Sequence, residues 1–228
     1  RHEAFEQYKA QREETPEAIR LSVPIIKEII RAYRIPILEV AGYEADDVIG
    51  TLATEAGRQG IITYMMTPDK DYGQLVSDKV FMYRPKHTGG FEVMGVDEVK
   101  AKFDIQSPAQ VIDMLGLMGD SSDNIPGCPG VGEKTAQKLI AEFGSIENLL
   151  EHTDQLKGAL KTKVETNREM ITFSKFLATI KIDVPIQLDM DSLVREQADE
   201  DSLRQIFEEL EFRTLIDRVL KKENAGNG

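Results

Sequence analysis

Seven carboxylates in three short stretches carry the chemistry this sequence can offer. In Gly42-Tyr43-Glu44-Ala45-Asp46-Asp47, Glu44 and Asp47 are three apart and share one face of a helix start. Acids in a first helical turn also complement the helix dipole, so that stretch admits a purely structural reading. In Thr67-Pro68-Asp69-Lys70-Asp71, Asp69 and Asp71 are two apart. In extended chain they point the same way, toward the carboxyl edge of a sheet, where open α/β folds place ligands. A turn with a helix N-cap accounts for that pair equally well. Asp120 and Asp123 repeat the three-residue spacing just beyond a helix. A capping turn explains one of them more easily than both, because neighbouring anions repel. If the fold gathers all seven, divalent cations relieve the crowding. Oxygen-only donors favour Mg²⁺ or Mn²⁺ over zinc. Two such ions about 3.5–4 Å apart hydrolyse phosphodiesters through an activated water, with the carboxylates holding metal.

A second signal is the run Ile125-Pro126-Gly127-Cys128-Pro129-Gly130-Val131-Gly132-Glu133-Lys134-Thr135-Ala136. Gly130 and Gly132 flank Val131 immediately before a helix, letting the backbone turn tightly and approach a ligand closely. The helix start offers unpaired N–H groups to a phosphate. Lys134 and Lys138, four apart, could flank that phosphate, with Thr135 beside them. Contacts of this kind grip a nucleic-acid backbone and do not read bases. An ordinary tight connection between helices is the bland alternative.

Periodicity supplies the elements that must position these groups. Residues 1–14 read as a charged, exposed arm or helix. Thr15 caps a helix that starts at Pro16, with Ile19, Val23, Ile26 and Ile30 as its buried face and Pro24 kinking it. Strands are expected at 37–40, 61–66 (buried), 80–83 and 91–94, the last two joined by a Gly89–Gly90 turn. A helix over about 44–56 falls among them. This alternation predicts an α/β layer with a mostly parallel sheet. From Ser107 the pattern becomes helical, over about 107–118, 132–143, 145–152 and on to 180. An extended stretch follows at 182–188, then helices at about 200–210 and 213–222. The division expected is 1–106, 107–222 and a tail or linker at 223–228.

Composition excludes several classes. The 228 residues carry 28 basic and 40 acidic side chains, a net charge of −12, which argues against a generic basic nucleic-acid coat. No apolar run approaches the ~20 residues of a membrane span, which excludes a membrane-spanning protein. One cysteine, Cys128, precludes an internal disulfide framework or a cysteine-based zinc cage.

The segments FEQYKAQR, GYEADD, TPDKDYGQL, GDSSDNIPGCPGVGEKTA and the late LEF at 210–212 resemble, in order and over nearly the whole chain, the 5′ nuclease domain of bacterial DNA polymerase I enzymes, in the flap endonuclease superfamily. The resemblance implies a PIN-like α/β domain followed by an all-α helix-three-turn-helix DNA-binding domain. It implies Mg²⁺-dependent removal of 5′ ends and flaps from duplex DNA in primer removal and repair, in the bacterial cytoplasm at the nucleoid. Position by position, Glu44, Asp46, Asp47, Asp69, Asp71, Asp120 and Asp123 match the family's metal cluster, with two metal sites in the intact domain. Lys9 and Arg12 match basic residues of the helical arch beside the scissile phosphate. Gly130, Val131 and Gly132 match the hairpin that grips duplex DNA, where relatives often also hold K⁺, here over 127–132. The rest of a polymerase I chain would be a partner.

The pattern also departs from the family's. The family begins with a central strand bearing an Asp ligand, and a second Asp precedes the arch; Arg1 aligns beyond both. The chain is therefore expected to be impaired as a nuclease and to expose apolar surface, open to self-association. Two rivals stand beside this reading. One is a non-catalytic, structure-selective duplex-binding module. The other is a metal phosphatase or RNA-cutting PIN nuclease that uses the carboxylates but not the glycine turn.

Overall fold

The computed structural model describes residues 3–86 and 88–220. In chain order its regular elements are α1 (Glu17–Ala32), α2 (Ala45–Arg58), β1 (Thr63–Met66), β2 (Val80–Pro85), β3 (Phe91–Met94), α3 (Val96–Phe103), α4 (Val111–Met118), α5 (Glu133–Phe143), α6 (Ile146–Glu151), α7 (Gly158–Thr166), α8 (Arg168–Ala178), α9 (Glu200–Glu209) and α10 (Arg213–Leu220). Short 3₁₀ turns precede α4 at Pro108–Gln110 and follow β1 at Lys70–Leu75. Two compact units result. One comprises residues 1–12 and 40–187, the other 13–39 and 188–228. The expected tail at 223–228 lies outside the described residues.

In the larger unit the sheet order is β1-β2-β3. β1 and β2 run parallel, with Thr63 opposite Val80, and β2 and β3 antiparallel, with Met82 opposite Met94. The sheet is thus mixed rather than mostly parallel. The chain reverses at Gly89 and Gly90, whose φ values of 87° and 77° suit only glycine, and Lys86 N–H closes the turn on the Gly90 carbonyl. Inward-facing Met65, Val80, Met82 and Met94 are buried. On the outer face Tyr64 is 56% exposed and Met66 70%. Aromatic rings ladder across that face, Tyr64 on Phe81 at 5.6 Å and Tyr83 on Phe91 at 4.6 Å between centroids. The run 61–66 is therefore half-buried, with the two-residue alternation of a one-sided strand. Apolar surface is exposed on this face.

α4 is the axle of this unit. Val111, Met114, Leu115 and Leu117 are fully buried, and α4 packs on α5, α6 and α8 through Ile140, Ile146, Ile171 and Leu177. One apolar core runs from the inner sheet face through α4 into the C-terminal helices. Asp113 of α4 accepts the Ile146 N–H at 2.9 Å and pairs with Lys175 at 2.6 Å, fixing the start of α6 and the flank of α8. Burial raises the Asp113 carboxyl above its ordinary value, and the bonds from Ile146 and Lys175 offset only part of that.

In the smaller unit, Ala32, Leu203, Phe207 and Leu220 form a core that Ile29 and Tyr33 join. Only the last turns of α1 contribute. Ile19, Val23 and Ile26 are exposed and Ile30 half-buried, so the expected buried stripe does not form. A helical stripe is buried only where another apolar face meets it, and here α9 meets the C-terminal end. The helix continues through Pro24 and begins at Glu17, with Pro16 as N-cap and no side-chain cap from Thr15. Residues 37–40 form no strand, because no neighbouring strand supplies their ladder bonds. Residues 3–12, in the larger unit, are a series of turns, anchored by buried Tyr8.

Candidate functional site

Each carboxylate is placed by the end of an element. Glu44 is the N-cap of α2, and Asp46 and Asp47 lie in its first turn. Asp69 caps the 3₁₀ turn after β1, its Oδ1 accepting the Asp71 N–H at 2.9 Å. The structural readings of both stretches are thus realised, without excluding a second use. Asp120 and Asp123 sit in the turn after α4. That turn is closed by reciprocal bonds between Asp120 and Ile125 and by Ser122, which donates from N and Oγ to Asp120 Oδ1.

The tertiary fold links the three stretches through cations. Lys9 lies 2.5 Å from Glu44 and 3.9 Å from Asp123, and Arg12 lies 2.5 Å from Asp123. The Lys9 N–H also bonds the Asp123 carbonyl at 3.0 Å, and Asn124 Nδ2 donates to the Gln7 carbonyl at 2.7 Å. Lys9 itself is left-handed, with φ 58°. Lys70 pairs with Asp120 and stands 3.3 Å from Asp71. Tyr72 donates to Asp46 at 2.9 Å. Asp47 is 5% exposed and accepts the Lys181 N–H at 2.9 Å, so one of its oxygens ties down the chain after α8.

Charge behaviour follows this geometry. Burial works against the Lys9 and Lys70 ammoniums, but their hydrogen bonds to Glu44 and Asp120, with neighbouring charges, lift both above their ordinary values. Burial likewise opposes ionised Asp120, yet Lys70 and Ser122 hold its carboxyl low. The hydrogen bond to Asp123 raises the Arg12 guanidinium. Tyr72 is raised by burial first, then by the negative charge of Asp46. Asp71 is the exception. Burial pushes it from 3.8 to about 6; Lys70 opposes that, while Asp69 and Asp120 add to it. Its Oδ1 is buried without a hydrogen bond, for the Lys70 ammonium is within ionic reach but not aligned to donate.

That orphan oxygen fits a hard cation, as does a donor set made only of oxygens. Among the described residues, however, no three His, Cys, Asp or Glu side chains stand together closely enough to hold an ion. The crowding that divalent cations are expected to relieve is also eased by the chain's own cations. Lys9, Arg12 and Lys70 already neutralise much of it. Sequence reasoning passed over Lys70 and Tyr72, although Lys70 stands between two of the acids it serves.

The glycine run builds a second surface. Gly130 has φ 76°, which requires glycine, whereas Gly132 is extended at φ −95° and is the N-cap of α5. The Gly132 carbonyl accepts from Thr135 and Ala136. Nothing lies within 4 Å of a Cβ built at Gly132, so the backbone there is open to a ligand. Val131 is buried beneath the turn and anchors it. Gly127, at φ 64°, has no such room, because its Cβ would stand 2.3 Å from the Gly119 nitrogen. Among the described residues, Lys134 and Lys138 have no carboxylate within ion-pair distance, unlike the lysines of the acidic site.

Two family models match successive parts of this chain. Residues 1–104 match the one described as the 5′-3′ exonuclease N-terminal resolvase-like domain, and residues 106–201 the 5′-3′ exonuclease C-terminal SAM fold. The chain belongs to the 5′-3′ exonuclease family. It is 41% identical over 221 residues to the DNA polymerase I of Bacillus caldotenax and 43% identical over 221 residues to that of Bacillus subtilis. Both alignments cover 96% of this chain and 25% of the relative, so the chain spans about a quarter of these polymerases. Among solved structures, the bacteriophage T5 flap endonuclease, in a pseudo-enzyme–product complex with DNA and metal ions, shares the fold at TM-score 0.62 and 22% identity, over 91% of this chain and 78% of its own. The fold is thus the family's α/β nuclease layer with a helical C-terminal part. Among the described residues no helix is long and apolar enough to cross a membrane.

Proposed function

We propose that this chain is the 5′ nuclease portion of a DNA polymerase I, hydrolysing phosphodiesters at 5′ ends and flaps of duplex DNA. The observation that carries this reading is the linkage of the three acidic stretches at one place, with a buried Asp71 oxygen left unsatisfied. Glu44, Asp46, Asp47, Asp69, Asp71, Asp120 and Asp123 would hold divalent ions, Mg²⁺ by donor hardness, at two sites. When bound, such ions supply an activated water and neutralise the departing oxygen. The chain's own residues do the rest. Lys9 and Arg12, released from Glu44 and Asp123, hold the phosphate to be cut. The Gly130–Gly132 turn, with Lys134, Thr135 and Lys138, grips the duplex backbone. Carbonyls over 127–132 would accept K⁺. The division of labour falls near residue 106. The protein works in the cytoplasm at the bacterial nucleoid, joined to the rest of the polymerase. The exposed sheet face around Tyr64 and Met66 supports self-association of the isolated chain, which sedimentation velocity tests.

Cleavage of a 5′-flap duplex tests the main reading. Metal-dependent cutting at the junction with Mg²⁺ or Mn²⁺, however weak, and lost on Asp120→Asn, is expected. A specific observation favours one alternative, a duplex-binding module without catalysis: the ammoniums of Lys9 and Lys70 stand among the acids. Binding in EDTA without cleavage in either metal would establish it.

A further inference from the structure

A cation the glycine run does not predict stands on the turn. Lys163, from α7, donates its ammonium to the Gly130 carbonyl at 3.3 Å. A Cβ at residue 130 would come within 2.7 Å of the Lys163 Nζ, so glycine there leaves room for this ammonium as well as permitting the left-handed backbone. The base of the side chain is fixed. The Lys163 carbonyl accepts from Asn167 Nδ2 at 2.8 Å and from the Cys128 thiol at 3.7 Å. Val164, next in α7, is fully buried.

An ammonium has three donors, and Gly130 uses one. Among the described residues no carboxylate lies within ion-pair distance of Lys163, in a chain with 40 acids against 28 bases. Its neighbour Lys161 does pair, with Glu165 at 3.9 Å. Lys163 therefore keeps a charge and donor capacity at Gly130, two residues before the open backbone of Gly132.

We propose that Lys163 is a phosphate-contacting residue of this turn, holding the DNA backbone from the α7 side while α5 holds it from the other. This rests on the reading of the turn as a duplex-gripping element. Neutralising one phosphate releases about 0.9 of a counterion, which sets the size of the effect. Lys163→Gln should make the plot of log affinity against log salt shallower by about 0.9 and weaken binding about eightfold at 0.1 M salt. Lys163→Arg should retain both slope and affinity.

Fluorescence anisotropy of the whole chain with a labelled 5′-flap duplex in EDTA, across a salt series, measures this, with Lys134→Gln as companion. A residue that merely shaped the turn would change affinity without changing slope, and circular dichroism melting reports whether the variant folds. If Lys134→Gln weakens binding but Lys163→Gln keeps the wild-type slope and affinity, this proposal fails while the reading of the turn survives. If the wild-type chain does not bind duplex at all, both fall.

Discussion

Replacing Asp71 by Asn should make this protein more stable at neutral pH while removing it as a metal ligand. The buried carboxyl ionises at about 6 in the folded chain against an ordinary 3.8. The folded state therefore binds the proton more tightly than the unfolded one. Between those values the native protein carries more protons, so stability falls as pH rises from about 4 to 6 and stays low above. The gap corresponds to about 3 kcal/mol at pH 7 at 1.36 kcal/mol per pH unit, and Asp71 is buried enough for little of that to be screened. An isosteric amide leaves no charge to bury and no proton to lose. Asp71→Asn should thus gain about 1–3 kcal/mol at pH 8, gain little at pH 4, and flatten the slope between. The lower bound allows for the Lys70 ammonium at 3.3 Å, which loses one of its two carboxylates. Urea denaturation in EDTA at pH 4, 5, 6, 7 and 8 measures this, with the urea slope checked for constancy. A variant no more stable than wild type at pH 8, or one with the wild-type pH slope, would refute the claim that Lys70 only partly offsets the burial of the Asp71 charge.

Three other outcomes are expected. Added Mg²⁺ should raise the wild-type melting temperature and leave Asp71→Asn nearly unmoved, read by calorimetry, because a ligand that binds only the folded state stabilises it by mass action. Lys175→Met should cost about 2–4 kcal/mol in urea denaturation, since Asp113 would keep a buried charge with only the Ile146 N–H to satisfy it. Gly132→Ala should leave melting within about 0.5 kcal/mol of wild type, having ordinary φ and open space, yet weaken duplex binding; Gly127→Ala should cost about 3 kcal/mol or more through backbone collision and positive φ.

Local chemistry made much of this protein legible in its sequence. The first-turn acids of α2, the Asp69 cap, the Gly89–Gly90 reversal and the Gly130 bend each depend on residues a few positions apart, and each forms where expected. The same holds for most helices after residue 107, whose periodicity meets the buried axle of α4. The failures are those of partnership. Ile19, Val23 and Ile26 have the spacing of a buried face, and 37–40 the composition of a strand, but burial and ladder bonds need a second surface that no local pattern supplies. The acidic site divides in the same way. Which oxygens exist was written in the three motifs. That Lys9 would reach Glu44 and Asp123, that Lys70 would hold Asp120, and that the Asp71 Oδ1 would be left buried without a hydrogen bond among the described residues required residues 35 to 114 positions apart to meet. Electrostatic energy depends on distance in space and on exclusion of water, and both are set only when the chain has packed.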